Sequence, residues 1–327
     1  ACVRGWFYDL LRALISLGSR NVGRCLGIRH WWRLRRFEVN QRGLARRYGL
    51  GADVPILRHG PQLQAQLEAH AGPGVAYAQT SGSSGTPKRI PYTRGRVRMV
   101  KAVYMDAFAR AYAALGIKRT SLYVFSSLKR DESLTALMMA ESGDLPPFFS
   151  TLQAPYRVHC HPDMEALTQR YGTAAVRLWV IAISRPGCLY ATNPSTLWVF
   201  MDTLAQDWEG ARAMVVDWVG GGEFAPFIHR IARRLSSRGS VERLAGIAGA
   251  QGPMTLAQCV PGLELICCWD GGYVRPFLDR VQARLPGEVV HLPMYAMSTE
   301  TVETVPHFGQ GVSFLPLAAG VAYEFLS

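Results

Sequence analysis

The chain has 327 residues, 49% of them hydrophobic, and a formal net charge of +12. That length and composition predict a globular protein with a substantial core, in one large or two ordinary domains. No apolar run approaches the roughly 18 residues that a membrane span needs, and the seven cysteines form neither a C-x-x-C pair nor a zinc-ligand spacing. These features exclude a transmembrane helix and a cysteine zinc site, and they favour reduced thiols in a cytoplasmic protein.

Positive charge is concentrated at the start of the chain. Residues 1–50 contain eleven arginines and two acidic residues, Asp9 and Glu38. We predict a basic helical N-terminal arm over residues 1–50, followed by a main domain over residues 51–327. An Arg-rich surface suits a membrane, an acidic partner or nucleic acid, but a solvated helix face explains it as well. We expect no specific binding of nucleic acid, because the arm has no recognisable nucleic-acid fold.

Two strand-like segments, GVAYAQ and RIPYT, flank a run of small polar residues, TSGSSGTPK, at residues 80–88. The flanks predict that this run is the tip of a β-hairpin. Glycines permit close backbone approach, hydroxyls donate hydrogen bonds and Lys88 adds charge, so the run suits a polyanion such as a triphosphate. It is not a P-loop, because Pro87 precedes the lysine and Arg89 stands where the magnesium-binding hydroxyl belongs. A Gly/Ser surface turn is the alternative.

The next segments alternate between helix and strand patterns. The predicted elements are a helix from Arg94 to Gly116, a strand at SLYVFSS, a helix through ESLTALMMAES with Asp131 as its cap, and a helix from His161 to Tyr171 that Gly172 closes. The continuous apolar run VRLWVIAI, residues 176–183, predicts a buried strand.

The second half of the chain continues this alternation. In TNPSTLWVFMDTLAQDW, Asn193 and Pro194 predict the start of a helix, because a capping side chain followed by proline is typical of a helix N-terminus. Further helices are predicted over residues 225–237, 240–250 and 273–285, and strands at LELICCW and EVVHLPMY. Strands that alternate with helices over this length predict an α/β architecture.

The last of these strands leads into MYAMSTE, residues 294–300. Two hydroxyls and a carboxylate directly after a strand lie where α/β proteins keep their ligand groups. Glu300 is therefore a candidate magnesium ligand, with Ser298 and Thr299 reaching phosphate or metal. A Ser/Thr/Glu cluster is also common as a helix cap, and the residues alone leave both interpretations open.

Taken together and in this order, SGTPKRIPYT, TNPSTL, CWDGGY, YAMSTE and FLPLAAGVAYEF resemble the Gretchen Hagen 3 (GH3) auxin-responsive family, bacterial branch. These acyl-acid amido synthetases belong to the adenylate-forming superfamily, with acyl-CoA synthetases and luciferases. The resemblance extends from about Val54 to the end. It implies the large N-terminal domain of an adenylate-forming enzyme, with mixed sheets flanked by helices. The small C-terminal domain and the family's third nucleotide motif are absent from this chain, which we expect to be a piece of a longer protein.

The resemblance implies a nucleotide site from two segments. Lys88 matches the basic end of the phosphate-binding motif, and Thr299 and Glu300 match the hydroxyl and the acid that lie beside the α-phosphate and magnesium. Tyr295 or Ala296 takes the position that packs on adenine, and Ser298 departs from the commonest family spelling. The rest of the phosphate-binding motif matches Thr80, Ser81, Gly82, Ser83, Ser84, Gly85 and Thr86.

By the resemblance, the protein is an AMP-forming ligase that uses ATP and Mg²⁺. It would adenylate a small carboxylic acid and pass the acyl group to an amine, such as an amino acid, with Lys88, Thr299 and Glu300 as catalytic residues. We expect a monomer, and no histidine in the mechanism, because the reaction needs no side-chain nucleophile. The alternatives are an acyl-CoA ligase of the same superfamily and a catalytically inactive binding module with this fold.

Overall fold

The computed structural model describes residues 36–48, 61–69, 75–80, 87–125, 161–293, 304–308 and 312–316, with single positions at 10, 13, 14, 17, 18, 20, 21, 24, 25, 134 and 137. The chain divides into two compact units. The sheet unit comprises Ala1–Ser19, Leu115–Asp131 and Ser142–Met294, and the hairpin unit comprises Arg20–Ala114, Glu132–Glu141 and Tyr295–Ser327. A boundary between an arm and a main domain at residue 50 stays a prediction.

The hairpin unit contains the predicted β-hairpin and the helix that follows it. Its first described elements are α1 Phe37–Tyr48, α2 Pro61–Ala69, β1 Ala76–Gln79, β2 Arg89–Tyr92 and α3 Arg94–Ala114. The two strands are antiparallel, with Ala78 opposite Ile90, and both of these residues are buried. The hairpin and the helix are therefore confirmed at the predicted positions.

The sheet unit follows, with helices between the strands of one sheet. In chain order its elements are β3 Leu122–Val124, α4 Pro162–Tyr171, α5 Thr173–Ser184, β4 Cys188–Tyr190, α6 Pro194–Gln206, α7 Trp208–Val219, α8 Pro226–Leu235, α9 Ser240–Gly249, α10 Leu256–Cys259, β5 Leu265–Cys268, a 3₁₀ turn Gly272–Val274, α11 Arg275–Ala283 and β6 Val290–Pro293. An antiparallel pair in the hairpin unit, β7 Thr304–Phe308 and β8 Val312–Pro316, comes last and was not predicted.

The sheet has the strand order β3-β4-β5-β6, and every neighbouring pair is parallel. Leu189 lies opposite Ile266, and Cys267 lies opposite Leu292. Parallel neighbours require a crossover between them, and the helices after β4 and after β5 supply it. The α/β fold class is confirmed, since helices and both parallel and antiparallel strands are present.

The segment VRLWVIAI was predicted to be a strand, and that prediction is wrong. It lies within helix α5, which begins after Gly172 at a φ of 84° and ends at Arg185 in the left-handed region. A short run that is apolar apart from one residue, here Arg177, is compatible with a buried strand or a buried helix, because neither leaves a clear polar face in the sequence. Burial of most of the helix removed the periodic signal that would have identified it.

Helix α5 lies at the centre of the hydrophobic core of the sheet unit. Leu178, Trp179 and Ile181 have no exposed surface. Helices α4, α7 and α9 pack against α5, and each of them presents one apolar face and one polar face. The core therefore buries most of one helix, and the amphipathic helices around it separate those residues from solvent.

Most predicted helix starts are confirmed by their caps. The Nδ1 atom of His161 accepts the Asp163 N–H at the start of α4, and the side chain of Asn193 accepts the Ser195 N–H at the start of α6. Helix α7 was not predicted. The Asp207 carboxylate accepts the Gly210 N–H at the start of α7, directly after α6. This region therefore contains two helices, whereas the sequence predicted one.

Polar groups hold together the amino ends of the strands in this sheet. The two carboxylate oxygens of Glu264 accept the backbone N–H groups of Lys118 and Arg119 at 2.7 and 2.9 Å. The Arg119 guanidinium in turn donates to the carbonyl oxygens of Pro261, Gly262 and Arg185. We call this network the amino-edge clamp, and it fixes the loop before β3 to the loop before β5.

Most of the predicted helix capped by Asp131 lies outside the described residues, as does the end of the motif FLPLAAGVAYEF. Among the helices that the structure describes, none combines the length and the apolar character that crossing a membrane requires.

Candidate functional site

The Ser/Gly run is held at its base by two hydrogen bonds between Thr80 and Lys88. The Thr80 N–H donates to the Lys88 carbonyl oxygen at 3.0 Å, and the Lys88 N–H donates to Thr80 Oγ1 at 2.9 Å. We call this pair the hairpin neck. It continues the ladder of β1 and β2 by one further pair, so the loop leaves the sheet at a defined point. Both residues are half-buried.

Cations cluster directly after the hairpin neck. Lys88, Arg89, Arg94 and Arg96 occur within nine positions, and the first turn of α3 contains no acidic residue. The Arg89 guanidinium lies 4.5 Å from the centroid of the Tyr77 ring, and that of Arg96 lies 4.5 Å from the Tyr92 ring. A ring face attracts a cation without cancelling its charge, so this part of the hairpin unit favours an anionic ligand.

The second candidate region is the carboxyl edge of the parallel sheet, where ligands bind in open α/β folds. Backbone hydrogen bonds tie the chain together just past β4 and β5. The Ala191 N–H donates to the Cys267 carbonyl oxygen at 2.9 Å, and the Trp269 N–H donates to the Thr192 carbonyl oxygen at 3.1 Å. The segments that follow these two strands are therefore neighbours.

Polar side chains are present at this edge. Tyr190 and Thr192 approach each other, with 3.3 Å between their hydroxyl oxygens, and Asp270 follows β5 directly and is half-buried. None of the three was singled out as a site residue from the sequence, although each lies at or directly after the end of a buried strand. Asn193, from the motif TNPSTL, caps α6 and therefore has a structural role.

His291 on β6 belongs to the same edge and has a structural role. Its Nε2 atom lies 3.1 Å from the carbonyl oxygen of Cys268, which can only accept, so the ring donates. Burial lowers the pKa of His291, whereas this hydrogen bond and the charge of Asp270 oppose the change. The imidazole is therefore neutral near pH 7 and joins β6 to the end of β5, in keeping with the prediction that histidines are not catalytic.

The cysteines of the sheet are poor nucleophiles. Cys188, Cys259, Cys267 and Cys268 are free thiols with no exposed surface. Burial raises the pKa of Cys259 and of Cys268 to about 12, and the charge of Asp270 adds to the increase at Cys268. A thiol must lose its proton to attack, so none of these side chains suits covalent catalysis at neutral pH.

Of the predicted site residues, the structure describes Thr80 and Lys88 and brings them together at the hairpin neck. The remaining residues of the two nucleotide segments lie outside the described residues: Ser81, Gly82, Ser83, Ser84, Gly85, Thr86, Tyr295, Ala296, Ser298, Thr299 and Glu300. Strand β6 ends at Pro293, and the second segment follows it in the chain. Within the described residues no group of three or more His, Cys, Asp or Glu side chains is arranged to hold a metal ion.

Comparison with solved structures gives the same fold at low sequence identity. AtGH3.15 acyl acid amido synthetase in complex with 2,4-DB has a TM-score of 0.58 and 13% identity, over 81% of this chain and 50% of that chain. A second structure, GH3.15 acyl acid amido synthetase, has a TM-score of 0.55 and 12% identity, over 82% of this chain and 50% of that chain. The match thus spans about half the length of these synthetases.

No curated protein sequence matches this chain. The family model for the GH3 family N-terminal domain, however, matches residues 70–290. That range contains the β1–β2 hairpin, the hairpin neck and almost the whole sheet unit from β3 onward. The segments that first suggested a relationship include three within this range. The chain belongs to the GH3 family.

Proposed function

We propose that this protein binds ATP with Mg²⁺, adenylates a small carboxylic acid and transfers the acyl group to an amine. The observation that carries the proposal is the hairpin neck, which holds a loop of hydroxyls and glycines between two ends tied at 2.9 and 3.0 Å. Membership of the GH3 family and the fold shared with acyl acid amido synthetases support it.

The proposed reaction has two steps. An oxygen of the substrate carboxylate attacks the α-phosphorus of ATP, the bond to the bridging oxygen breaks and pyrophosphate leaves. The amine nitrogen then attacks the carbonyl carbon of the acyl adenylate, AMP leaves, and the nitrogen gives up a proton as the amide forms. Neither step needs a protein nucleophile, so the protein contributes positioning and charge stabilisation.

The chain offers groups for each of these tasks. Lys88 would neutralise the β- and γ-phosphates, and the hydroxyls and backbone N–H groups of residues 80–86 would hold the same oxygens. Thr299 would bind the α-phosphate, and Glu300 would hold Mg²⁺, which reduces the negative charge that the incoming carboxylate meets. Tyr295 or Ala296 would pack on adenine, with Ser298 beside it.

The acid and the acceptor are proposed by class. A related structure is an acyl acid amido synthetase in complex with 2,4-DB, and we infer an acyl acid as the substrate class for this chain as well. For the acceptor we propose an amine such as an amino acid. We further propose that the protein acts as a monomer in the cytoplasm.

Nucleotide titration of the full chain tests the phosphate assignment. Lys88→Ala removes a charged hydrogen-bond donor from a half-buried position, and should weaken ATP binding about tenfold to a hundredfold. AMP lacks the β- and γ-phosphates, so its affinity should change far less. Arg89→Ala is the comparison, because that side chain belongs to the same cation cluster but is exposed and lies over the Tyr77 ring, and it should weaken ATP binding less than Lys88→Ala. Equal losses for ATP and AMP would place Lys88 away from the phosphate tail.

The acceptor is tested by following AMP release with the acid and ATP present. Amino acids should accelerate release and be recovered as amides, whereas coenzyme A should not. Acceleration by coenzyme A alone would identify an acyl-CoA ligase. A chain that binds no ATP would favour the interpretation as an inactive binding module.

A further inference from the structure

Helix α8 has one apolar face and one basic face. Ile228, Ile231 and Leu235 are buried, whereas the exposed side chains include His229, Arg230, Arg233 and Arg234. At about 100° per residue, the basic side chains occupy an arc of roughly 140° on the solvent side of the helix. The helix contains no acidic residue. This face therefore carries three arginines with no compensating charge on the same helix.

Two other exposed arginines of the sheet unit have acidic neighbours. Arg275 lies 2.8 Å from Asp279, and Arg284 lies 3.4 Å from Asp202. In the described part of the chain, no ion pair joins Arg230, Arg233 or Arg234 to a carboxylate. The helix dipole favours cations in the last turn, which accounts for Arg233 and Arg234. It does not account for Arg230 or for the lack of acidic neighbours.

An open cleft of about 620 Å³ lies at the start of the same helix. Its walls include the rings of Trp218, Phe224 and His229, and the centroid of the Trp218 ring is 5.1 Å from each of the other two. His229 lines the cleft and also belongs to the basic face, so the two features form one continuous surface.

We propose that this continuous surface, the α8 surface, binds an acidic segment of a partner protein that carries one aromatic or aliphatic anchor. The anchor would enter the cleft, and carboxylates would pair with Arg230, Arg233 and Arg234. These arginines extend about 6 Å along the helix axis, and alternate side chains of an extended peptide repeat every 6.6 to 7 Å or so. Two carboxylates spaced by one residue therefore match the separation between Arg230 and Arg234.

The composition of the cleft favours a peptide over nucleic acid. Glu223 is one of the lining residues, and a base stacked on Trp218 would bring its phosphate close to that carboxylate. A peptide avoids this repulsion, because a neutral anchor occupies the cleft while the acidic residues stay on α8. A membrane surface is disfavoured as well, since Trp218 and Phe224 are half-buried in a concave cleft and cannot insert into lipid.

The test uses the full chain and the fluorescein-labelled peptide GFGEGEGE, with binding followed by fluorescence anisotropy at about 150 mM salt, where long-range attraction is screened. We expect saturable binding that is lost when lysines replace the glutamates. The triple variant R230Q/R233Q/R234Q keeps side-chain size and removes three exposed charges, and should weaken binding at least about tenfold. This outcome does not depend on adenylation activity.

A matched control removes the same charge from another helix. R275Q/R280Q/R284Q changes two exposed arginines of α11 and a third directly after it, and should change the affinity for GFGEGEGE by less than about twofold. The cleft is tested separately with His229→Ala, which removes one ring from its wall. That variant should bind GFGEGEGE more weakly than the wild type does, and it should bind the anchorless peptide GGGEGEGE with unchanged affinity.

Three results would overturn the proposal. The first is the absence of binding beyond that of the lysine peptide. The second is an equal loss in the two triple variants, which would show that net charge alone attracts the peptide. The third is a preference for oligothymidylate, or for vesicles of phosphatidylcholine with phosphatidylserine, at the same salt and with the same dependence on the three arginines.

Discussion

The two edges of the four-stranded parallel sheet use polar residues in different ways. At the amino edge, the Glu264 carboxylate accepts backbone N–H groups, and the Arg119 guanidinium donates to backbone carbonyl oxygens of neighbouring loops. These hydrogen bonds hold β3, β4 and β5 together. At the carboxyl edge, Thr192 and Asp270 follow the strands, and the second nucleotide segment begins just past β6. Polar residues at the amino edge therefore stabilise the fold, whereas those at the carboxyl edge lie where open α/β sheets in general bind ligands.

The largest expected effect is on stability, from a change at the amino edge. A Cβ atom on Gly187 would lie 2.0 Å from the Arg119 carbonyl oxygen, and a backbone atom in that position cannot move aside without disturbing the clamp. Gly187→Ala should lower the free energy of unfolding by about 3 kcal/mol or more. Urea denaturation followed by circular dichroism measures this change.

Gly246→Ala is the matched control for Gly187→Ala. Gly246 lies inside α9, and a Cβ atom there would meet nothing within 4 Å. Alanine should raise the free energy of unfolding by about 0.5 to 1 kcal/mol, because it restricts the unfolded chain and is favoured in helices. Similar effects of both substitutions would show that close approach at Gly187 is not essential.

The next effect concerns Glu300 in the second nucleotide segment and should appear in activity alone. Glu300→Gln keeps the size of the side chain and removes the charge proposed to hold Mg²⁺. The rate of acid-dependent exchange between pyrophosphate and ATP should fall at least about a hundredfold, with the unfolding midpoint unchanged. A lower midpoint with activity retained would instead identify Glu300 as a helix cap.

The reverse pattern is expected for Glu264 in the amino-edge clamp. Glutamine would place an NH₂ group against backbone N–H groups that now donate to a carboxylate, and should cost about 1 to 2 kcal/mol of stability. ATP affinity should stay the same. Glu288→Gln, at an exposed position, is the control, and its effect should remain within about 0.5 kcal/mol. A change in ATP affinity with Glu264→Gln would remove the distinction between the two edges.

The smallest effect is a pH dependence of stability from His291. Its pKa is lowered in the folded protein, so the unfolded chain takes up the proton first as the pH falls through the ordinary value of 6.5. The contribution of His291 is therefore complete above that pH and declines below it. Between pH 7.5 and 5.5, the free energy of unfolding of the wild type should fall by up to about 1 kcal/mol more than that of His291→Gln. An equal change in the free energy of unfolding of the two proteins would contradict this assignment.

The candidate site could be anticipated from the sequence where its chemistry is local. The Ser/Gly run predicted a polyanion site because hydroxyls, glycines and Lys88 are adjacent in the chain, and the structure closes that run with the hairpin neck. Asp270 was not singled out as a site residue, because an acid followed by two glycines is common in turns. Only the parallel pairing of β5 with its neighbours brings it to the carboxyl edge.

Local signals in the sequence were sufficient for the hairpin, for most of the helix starts and for the α/β class, because caps, turns and alternating patterns depend on neighbouring residues. Tertiary structure decided the state of VRLWVIAI, since packing against α4, α7 and α9 stabilises this almost wholly apolar run as a helix. It also decided which polar residues belong to the clamp. Glu264 and Arg119 are far apart in the chain and meet only because β3, β4 and β5 align side by side.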